Sequence, residues 1–346
     1  MLVTQTRNAR RHPRGAGSMI GHGFEDRLLT EQEIQGITAE ALSRHDVAGK
    51  RVLVIIPDGT RTAPVPLFFR LFHETIGHYA RQLDYLIALG THPPLSEERI
   101  HRLVGVAALE RALRYPNVRI FNHDWADPET FTTIGAISAR EIARLTGGLM
   151  AQDVAVSINR TVFDYDLLVV LGPVFPHEVA GFSGGNKYFF PGIGGPEMIH
   201  FTHWLGAVIT NLETIGRKDT PVRRVIDRAA SFIDVPKLCF SLVMHDGGVA
   251  GLYVNSPEES QRAAAQLSAR LHIRYVDRPY RRVLAVVPAM YDDLWTAAKG
   301  MYKAEPVVAD GGEVVIYAPH ITEISYTHGE TLRQIGYHVR AFYLKQ

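Results

Sequence analysis

Short runs of continuously apolar residues, each ended by a turn residue, alternate with segments of helical period, and this alternation constrains the fold more than any other feature. "RVLVII" (51–56) stops at Pro57 and "DYLIAL" (84–89) stops at Gly90. A strand that is apolar at every position has both faces buried, so helices must cover the sheet on each side. Thr30 followed by Glu33 is a capping-box signature and predicts a helix over 31–44. Further helices are predicted over 66–82 and 96–114, with "VRIFN" (118–122) as the next strand. "FDYDLLVVLG" (163–172) adds another buried strand, followed by a helix over 222–233, the strand "LCFSLVM" (238–244) and a helix over 257–271. Alternating β and α predicts an α/β fold with a mainly parallel sheet and flanking helices.

At 346 residues the chain exceeds the size at which one hydrophobic core stops growing. A link, "RYVDRPYRR" (274–282), leads into a second unit: strand "VLAVVPA" (283–289), a helix through "DDLWTAAKGMYKA", strand "EVVIYAP" (313–319) and a helix near 329–336. The expected organisation is a catalytic domain over 19–275 and a smaller α/β domain over 276–346, with the active site in the cleft between them. Roughly seventy residues is small for a lobe with its own sheet. The second domain is therefore expected to be truncated or completed by a partner. Residues 1–18, "MLVTQTRNARRHPRGAGS", carry four arginines and no acid ahead of Met19, and are expected to be a disordered leader or tag.

Lys plus Arg (37) balances Asp plus Glu (36), which leaves no overall field to draw in nucleic acid or an anionic membrane. Any anion must be held locally. No run approaches the roughly 18 apolar residues of a membrane span. Cys239, the single cysteine, excludes an internal disulfide and any Cys-rich zinc or iron–sulfur site, and fits a reducing, cytoplasmic compartment.

In open α/β sheets ligands bind beyond the carboxyl ends of the strands. Asp58, Arg61, His92, His123 and Asp124 fall in such loops, and the strand ending at Gly172 runs directly into "PHEVAGFSGGNKYFFPG" (176–192). A glycine-rich run ending in Lys187 suggests phosphate binding, because glycine admits oxygens to the backbone N–H groups and the ammonium neutralises charge. The Walker pattern fails, with Asn186 where the last glycine belongs and Tyr188 where the metal-binding hydroxyl belongs. "GIGGPE" (192–197) lacks the third glycine of a dinucleotide fingerprint. Spacing alone leaves open tight turns beside a solvated lysine. Of sixteen histidines, His92, His123, His177, His200, His203, His320 and His328 sit in predicted exit loops or turns. Imidazoles without thiolates suit nickel, copper, zinc or iron. Asp58 suits a ribose hydroxyl or a helix cap, Arg61 a carboxylate or phosphate, and Lys299 a helix end.

"PDGTRTAP", "ALGTHPPL", "PHEVAGFSGGNKYFFPG", "HFTHW" and "LWTAAKG" occur in an order and at a spacing that resembles the nickel-dependent lactate racemase family, over residues 50–340. The resemblance implies a nickel-pincer nucleotide, a pyridinium mononucleotide with two sulfur-bearing arms, tethered to Lys187 and completed at nickel by His203. It implies His92 and His177 as paired acid/base residues, with Asp58, Gly59, Thr60, Arg61, Ser183, Gly184 and Gly185 around the cofactor. Arg61, Thr296 and Lys299 are implied to hold the substrate. The implied reaction is racemisation or epimerisation of a 2-hydroxy acid by abstraction and return of hydride, with cofactor-building enzymes as transient partners. The family's founding activity has a glutamine three residues before the second-domain lysine where this chain has Thr296, which points to a substrate other than lactate. The rival expectations are a non-catalytic nucleotide binder or truncated pseudoenzyme, and a phosphate-binding α/β hydrolase.

Overall fold

The structure, a computed structural model, describes residues 18–345, so all but the last residue of the expected leader lies outside the described residues. The chain runs β1 (Ile20–Gly23), α1 (Glu31–Ser43), β2 (Arg51–Pro57), α2 (Val65–Ile76), β3 (Gln82–Ala88), α3 (Glu97–Val104), α4 (Ala108–Arg114) and β4 (Ile120–Asn122). An excursion follows through β5 (Phe131–Ile137), α5 (Ala139–Thr146) and β6 (Val154–Asn159), where β5 and β6 pair antiparallel. Strand β7 (Leu167–Pro173) then re-enters the main sheet and leads to the short pair β8 (Pro176–His177) and β9 (Gly181–Phe182). Helices α6 (Pro196–Ile209), α7 (Asn211–Thr214) and α8 (Pro221–Ala230) precede the hairpin β10 (Lys237–His245) and β11 (Gly248–Asn255), which α9 (Pro257–His272) closes. A smaller portion comprises β12 (Tyr280–Val286), α10 (Leu294–Ala297), α11 (Lys299–Ala304), β13 (Val308–Tyr317), α12 (Gly329–Ile335) and α13 (Arg340–Tyr343).

The main sheet has seven strands in the order β1-β11-β10-β7-β2-β3-β4. Pairing is parallel from β10 to β4 and antiparallel only at the β11 edge. The chain steps outward from β2 through β3 to β4 and later returns on the other side of β2 as β7. The strand order therefore reverses between β2 and β7, and in such sheets ligands bind beyond the carboxyl ends at that point. In β2, Val52, Val54 and Ile56 pack with Phe68, Phe72 and Phe240 on one face, while Leu53 and Ile55 pack with Phe189, Phe190 and Val225 on the other. The Phe240 ring meets Phe72 and Phe68 edge-on at 5.1 and 6.2 Å. Full burial of such a side chain is worth about 1.5–3 kcal/mol.

The capping box at Thr30 and Glu33 is formed, and α1 follows it. Other boundaries differ from the sequence reading for local reasons. Helix α2 ends at Ile76, capped at Gly77, because residues 82–88 are claimed by the β2 register. The helix expected over 96–114 is two helices. Gly105 adopts φ 66°, and a Cβ there would lie 2.5 Å from Pro66 Cβ, so the chain breaks at that point. The strand expected from 163 starts at Leu167, since Asp166 turns aside to accept from the Arg51 backbone N–H at 2.8 Å. Strand β11 escaped the reading, although Asp246 and Gly247 (φ 45° and 80°) form the Asp-Gly turn that marks a tight hairpin. Among the described residues no helix is long and apolar enough to cross a membrane.

Candidate active site

Asp58 leaves β2 at the reversal point and organises its own loop. Its Oδ1 accepts from Thr60 N at 3.1 Å and from the Thr60 hydroxyl at 2.6 Å, and Arg61 donates to that hydroxyl at 2.9 Å. Its Oδ2 lies 2.5 Å from Nδ1 of His92, which comes from the loop after β3. Burial pushes the Asp58 carboxyl up, but the His92 contact, the charges of His92 and Arg61 and the Thr60 hydroxyl outweigh it and hold the group below the usual aspartate range. The two loops expected to meet do meet. The His92 loop also reaches the glycine-rich segment, where Gly90 N donates to Gly192 O at 2.9 Å.

The glycine-rich loop leaves β7 beside β2. Ser183 staples it: its hydroxyl donates to Pro173 O and accepts from Phe175 N, both at 2.9 Å, so that oxygen is already engaged. Gly184 and Gly185 have φ of 78° and 60°, and a Cβ on either would press to 2.6 Å on Val174 or 2.8 Å on Gln261. From below, buried Arg223 on α8 donates to the carbonyls of Gly184 (3.2 Å) and Phe182 (2.5 Å). Asn186 donates to Asp227 at 3.0 Å and to Glu258 at 2.6 Å. Lys187 follows on a short 3₁₀ turn, Gly185–Tyr188. Its amine has no hydrogen bond or ion pair among the described residues. Burial first, then the charges of Arg61 and Lys299, push it down to about 7 against a smaller opposing pull from Glu178. By surface area the Lys187 side chain is half-buried.

His177 is buried, 4% exposed, and its Nδ1 accepts from the backbone N–H of Val179 at 3.1 Å and of Ala180 at 3.4 Å. Burial holds this imidazole well below its ordinary pKa; Glu178 opposes, while Lys187, Lys299 and Arg61 reinforce. His203, on α6, donates from Nδ1 to Ile199 O at 2.7 Å, which leaves Nε2 with a lone pair. Its side chain is open to solvent at one edge, yet desolvation lowers its pKa, and the charges of Lys187, Glu178 and Lys299 all act on it. Among the described residues no group of three or more His, Cys, Asp or Glu is arranged to hold a metal.

From the smaller portion Lys299 enters the same cluster and forms a short ion pair with Glu178. Glu178 was missed in the sequence, although it is the one acid in residues 176–192. Thr296 caps locally: its hydroxyl donates to Asp293 Oδ1 at 2.6 Å. Lys303, also unread, shares the field of Glu178, Lys299 and Arg61. The remaining histidines serve elsewhere. Fully buried His123 accepts from Asn159 at 3.1 Å and is pushed down to about 4 by burial, His320 meets Tyr291 O, and His328 packs on Trp295. His200 is exposed beside Glu197, Phe201 and Trp204.

Fold and site together define an α/β protein with a cluster of polar side chains at the reversal point of a mainly parallel sheet, to which a smaller α/β portion contributes Lys299. The profile of the lactate racemase N-terminal domain matches residues 30–216, more than half of the chain, and the chain belongs to the lactate racemase family. It is 22% identical over 275 residues to a lactate racemase from Thermoanaerobacterium thermosaccharolyticum and 24% identical over 278 residues to one from Lactiplantibacillus plantarum. Each alignment covers 78% of this chain and 60% of the relative, so the chain spans less than two thirds of those proteins. A Thermotoga maritima protein of known crystal structure superposes with a TM-score of 0.82 at 31% identity, over 93% of this chain and 80% of the other. The apoprotein of the T. thermosaccharolyticum lactate racemase superposes at 0.68 with 20% identity, over 88% and 75%.

Proposed function

We propose that this protein carries a nickel-pincer nucleotide on Lys187 and inverts the carbinol centre of a 2-hydroxy acid. The observation that carries this reading is the Lys187 amine: without a hydrogen bond or ion pair among the described residues, lowered to about 7 by burial and by the charges of Arg61 and Lys299, at the end of a glycine turn beyond the sheet reversal. An amine with a substantial neutral fraction at working pH can form the covalent link that an ordinary lysinium cannot. The neighbouring residues fit such a group. Gly184 and Gly185, held at positive φ and packed on Val174 and Gln261, fix the turn that presents Lys187, and Nε2 of His203 presents a lone pair suited to nickel. Asp58, Gly59, Thr60 and Arg61 would contact the nucleotide.

When bound, the group supplies a hydride acceptor, which avoids ionising a weakly acidic carbinol C–H. The chain's own residues would do the rest. His92, oriented by Asp58, handles the hydroxyl proton. Arg61 offers a planar fork for a carboxylate, and Lys299 and Lys303 add positive charge that Glu178 partly offsets. The Thr296 hydroxyl, bound to Asp293, cannot reach as a glutamine amide would, which favours a 2-hydroxy acid other than lactate.

Co-production with cofactor-building enzymes tests the reading. The expected result is added mass on the Lys187 peptide, bound nickel, and stereochemical exchange of at least one acid in a panel of 2-hydroxy acids. Lys187→Ala loses all three. Unmodified Lys187 without nickel overturns the proposal, and an adduct without inversion reduces the protein to a cofactor binder.

A further inference from the structure

Three successive carbonyls of the turn that carries Lys187 are held by side chains from two helices. Arg223, buried on α8, donates to Phe182 O at 2.5 Å and to Gly184 O at 3.2 Å, and Gln261 on α9 donates to Ser183 O at 3.2 Å. Gly184 O also accepts from the backbone N–H of Lys187 itself at 3.3 Å. A single carbonyl oxygen therefore lies between the guanidinium and the backbone of the lysine. We propose that Arg223 is a positioning residue for the covalent step at Lys187, fixing where the amine stands by clamping the turn at residues 182 and 184. That Lys187 is an attachment point rests on the function proposed above; the clamp on the turn does not.

Holding a carbonyl of this turn does not by itself call for an arginine, since Gln261 does so with a neutral amide. A buried guanidinium carries a desolvation cost that a carboxylate partner ordinarily offsets. Arg223 has no ion pair among the described residues, and its Nε has no hydrogen-bond partner. The nearby acids are used otherwise: Asn186, the residue before Lys187, donates to Asp227 on α8 and to Glu258 on α9. Acids and arginine thus brace the same short segment from different sides. The planar fork is what suits the task, because its two amino groups reach the carbonyls of residues 182 and 184 together and so fix the tilt of the turn as well as its place. A lysine at 223 would keep the charge and hold one carbonyl. The charge reaches the amine as well: Arg61, Lys299 and Arg223 disfavour a proton on Lys187, Glu178 favours one, and His177 and His203 share that field.

Acetylation of cofactor-free protein by p-nitrophenyl acetate reads how the amine is presented. The amine lone pair forms an N–C bond to the ester carbonyl, the C–O bond breaks with its electron pair on the leaving phenolate, and the nitrogen gives its proton to water. Peptide mass spectrometry then compares Lys187 with the exposed Lys218 of the same molecule. Arg223→Lys should lower the Lys187 to Lys218 ratio roughly tenfold, since a displaced turn misplaces the amine. A ratio unchanged in that variant, whatever happens to its urea midpoint, overturns the inference and leaves Arg223 a stabilising residue only. A second measurement needs no variant. In the native protein the Arg223 side-chain N–H signals should be separately resolved, with couplings across the hydrogen bonds to the carbonyl carbons of Phe182 and Gly184; a freely rotating guanidinium overturns the inference even if no variant folds. Should native protein gain no adduct on co-production with cofactor-building enzymes, the function proposed above fails, while the acetylation ratio still decides the clamp.

Discussion

The large sheet and the small one are both built from parallel strands, yet they are covered very differently. Every residue of β2 after Arg51 is buried, because helices lie on both sides. In the smaller portion Leu284 pairs with Val315 and Val286 with Tyr317, and one face stays open: Leu284, Val286 and Tyr317 are 61%, 67% and 56% exposed. Parallel pairs normally owe their stability to cover on both faces. The small lobe instead leans on the large one through polar contacts such as Lys299 with Glu178, Asn211 to Tyr302 O at 2.6 Å and Arg340 to Val208 O at 2.7 Å. The division also runs through the site. Lys187, His177, Asp58 and His92 sit on segments that follow strands of the fully covered sheet, while Lys299 and Lys303 arrive on the portion whose sheet has an open face.

Core substitutions give the largest test of that contrast. Phe240→Ala should cost about 3–5 kcal/mol in urea unfolding, as for other buried aromatics. Val286→Ser, on the open face, should stay within about 0.5 kcal/mol. A comparable loss at both positions would mean that the small sheet is covered in solution.

Lys187 gives the next effect. In the unfolded chain a lysine keeps its proton to about pH 10.4, and in the fold this one loses it near 7. Between those values the unfolded state binds more protons, so this group makes stability rise with pH. Lys187→Met should remove that slope and gain on the order of a few kcal/mol at pH 7, read by urea unfolding across pH. An unchanged slope would place the amine in solvent.

The smallest effect belongs to the open-faced side of the comparison. Lys299→Ala should raise KM for the 2-hydroxy acid about tenfold, or about 1.4 kcal/mol, with little change in kcat. A parallel fall in kcat would show that the small lobe positions the chemistry as firmly as the large one does.

The fold was legible wherever its signals were local. The buried strands at 51–56 and 84–89, the capping box at Thr30 and the exit loops holding Asp58 and His92 all follow from patterns spanning a few residues. What escaped notice was the β5 to β6 excursion, whose first strand is half-buried and lacks a continuous apolar run, and the β11 hairpin partner. In the site, glycines and lysine at 184–187 could be read directly, but not the support beneath them. Arg223 looks like any charge on an amphipathic helix until α8 packs under the loop.

The sequence by itself determined the alternation of strand and helix, the burial of the large sheet on both faces and the placing of chemistry-bearing residues in loops after strands. Periodicity and turn chemistry act between near neighbours, so they can be read along the chain. Only the tertiary structure decided that Glu178 takes Lys299 from 121 residues away, that Lys187 finds no hydrogen bond or ion pair among the described residues, and that Asp58 meets Nδ1 of His92. Protonation and pairing depend on whatever the fold brings within a few ångströms and on how much water it removes, and neither is written in local spacing.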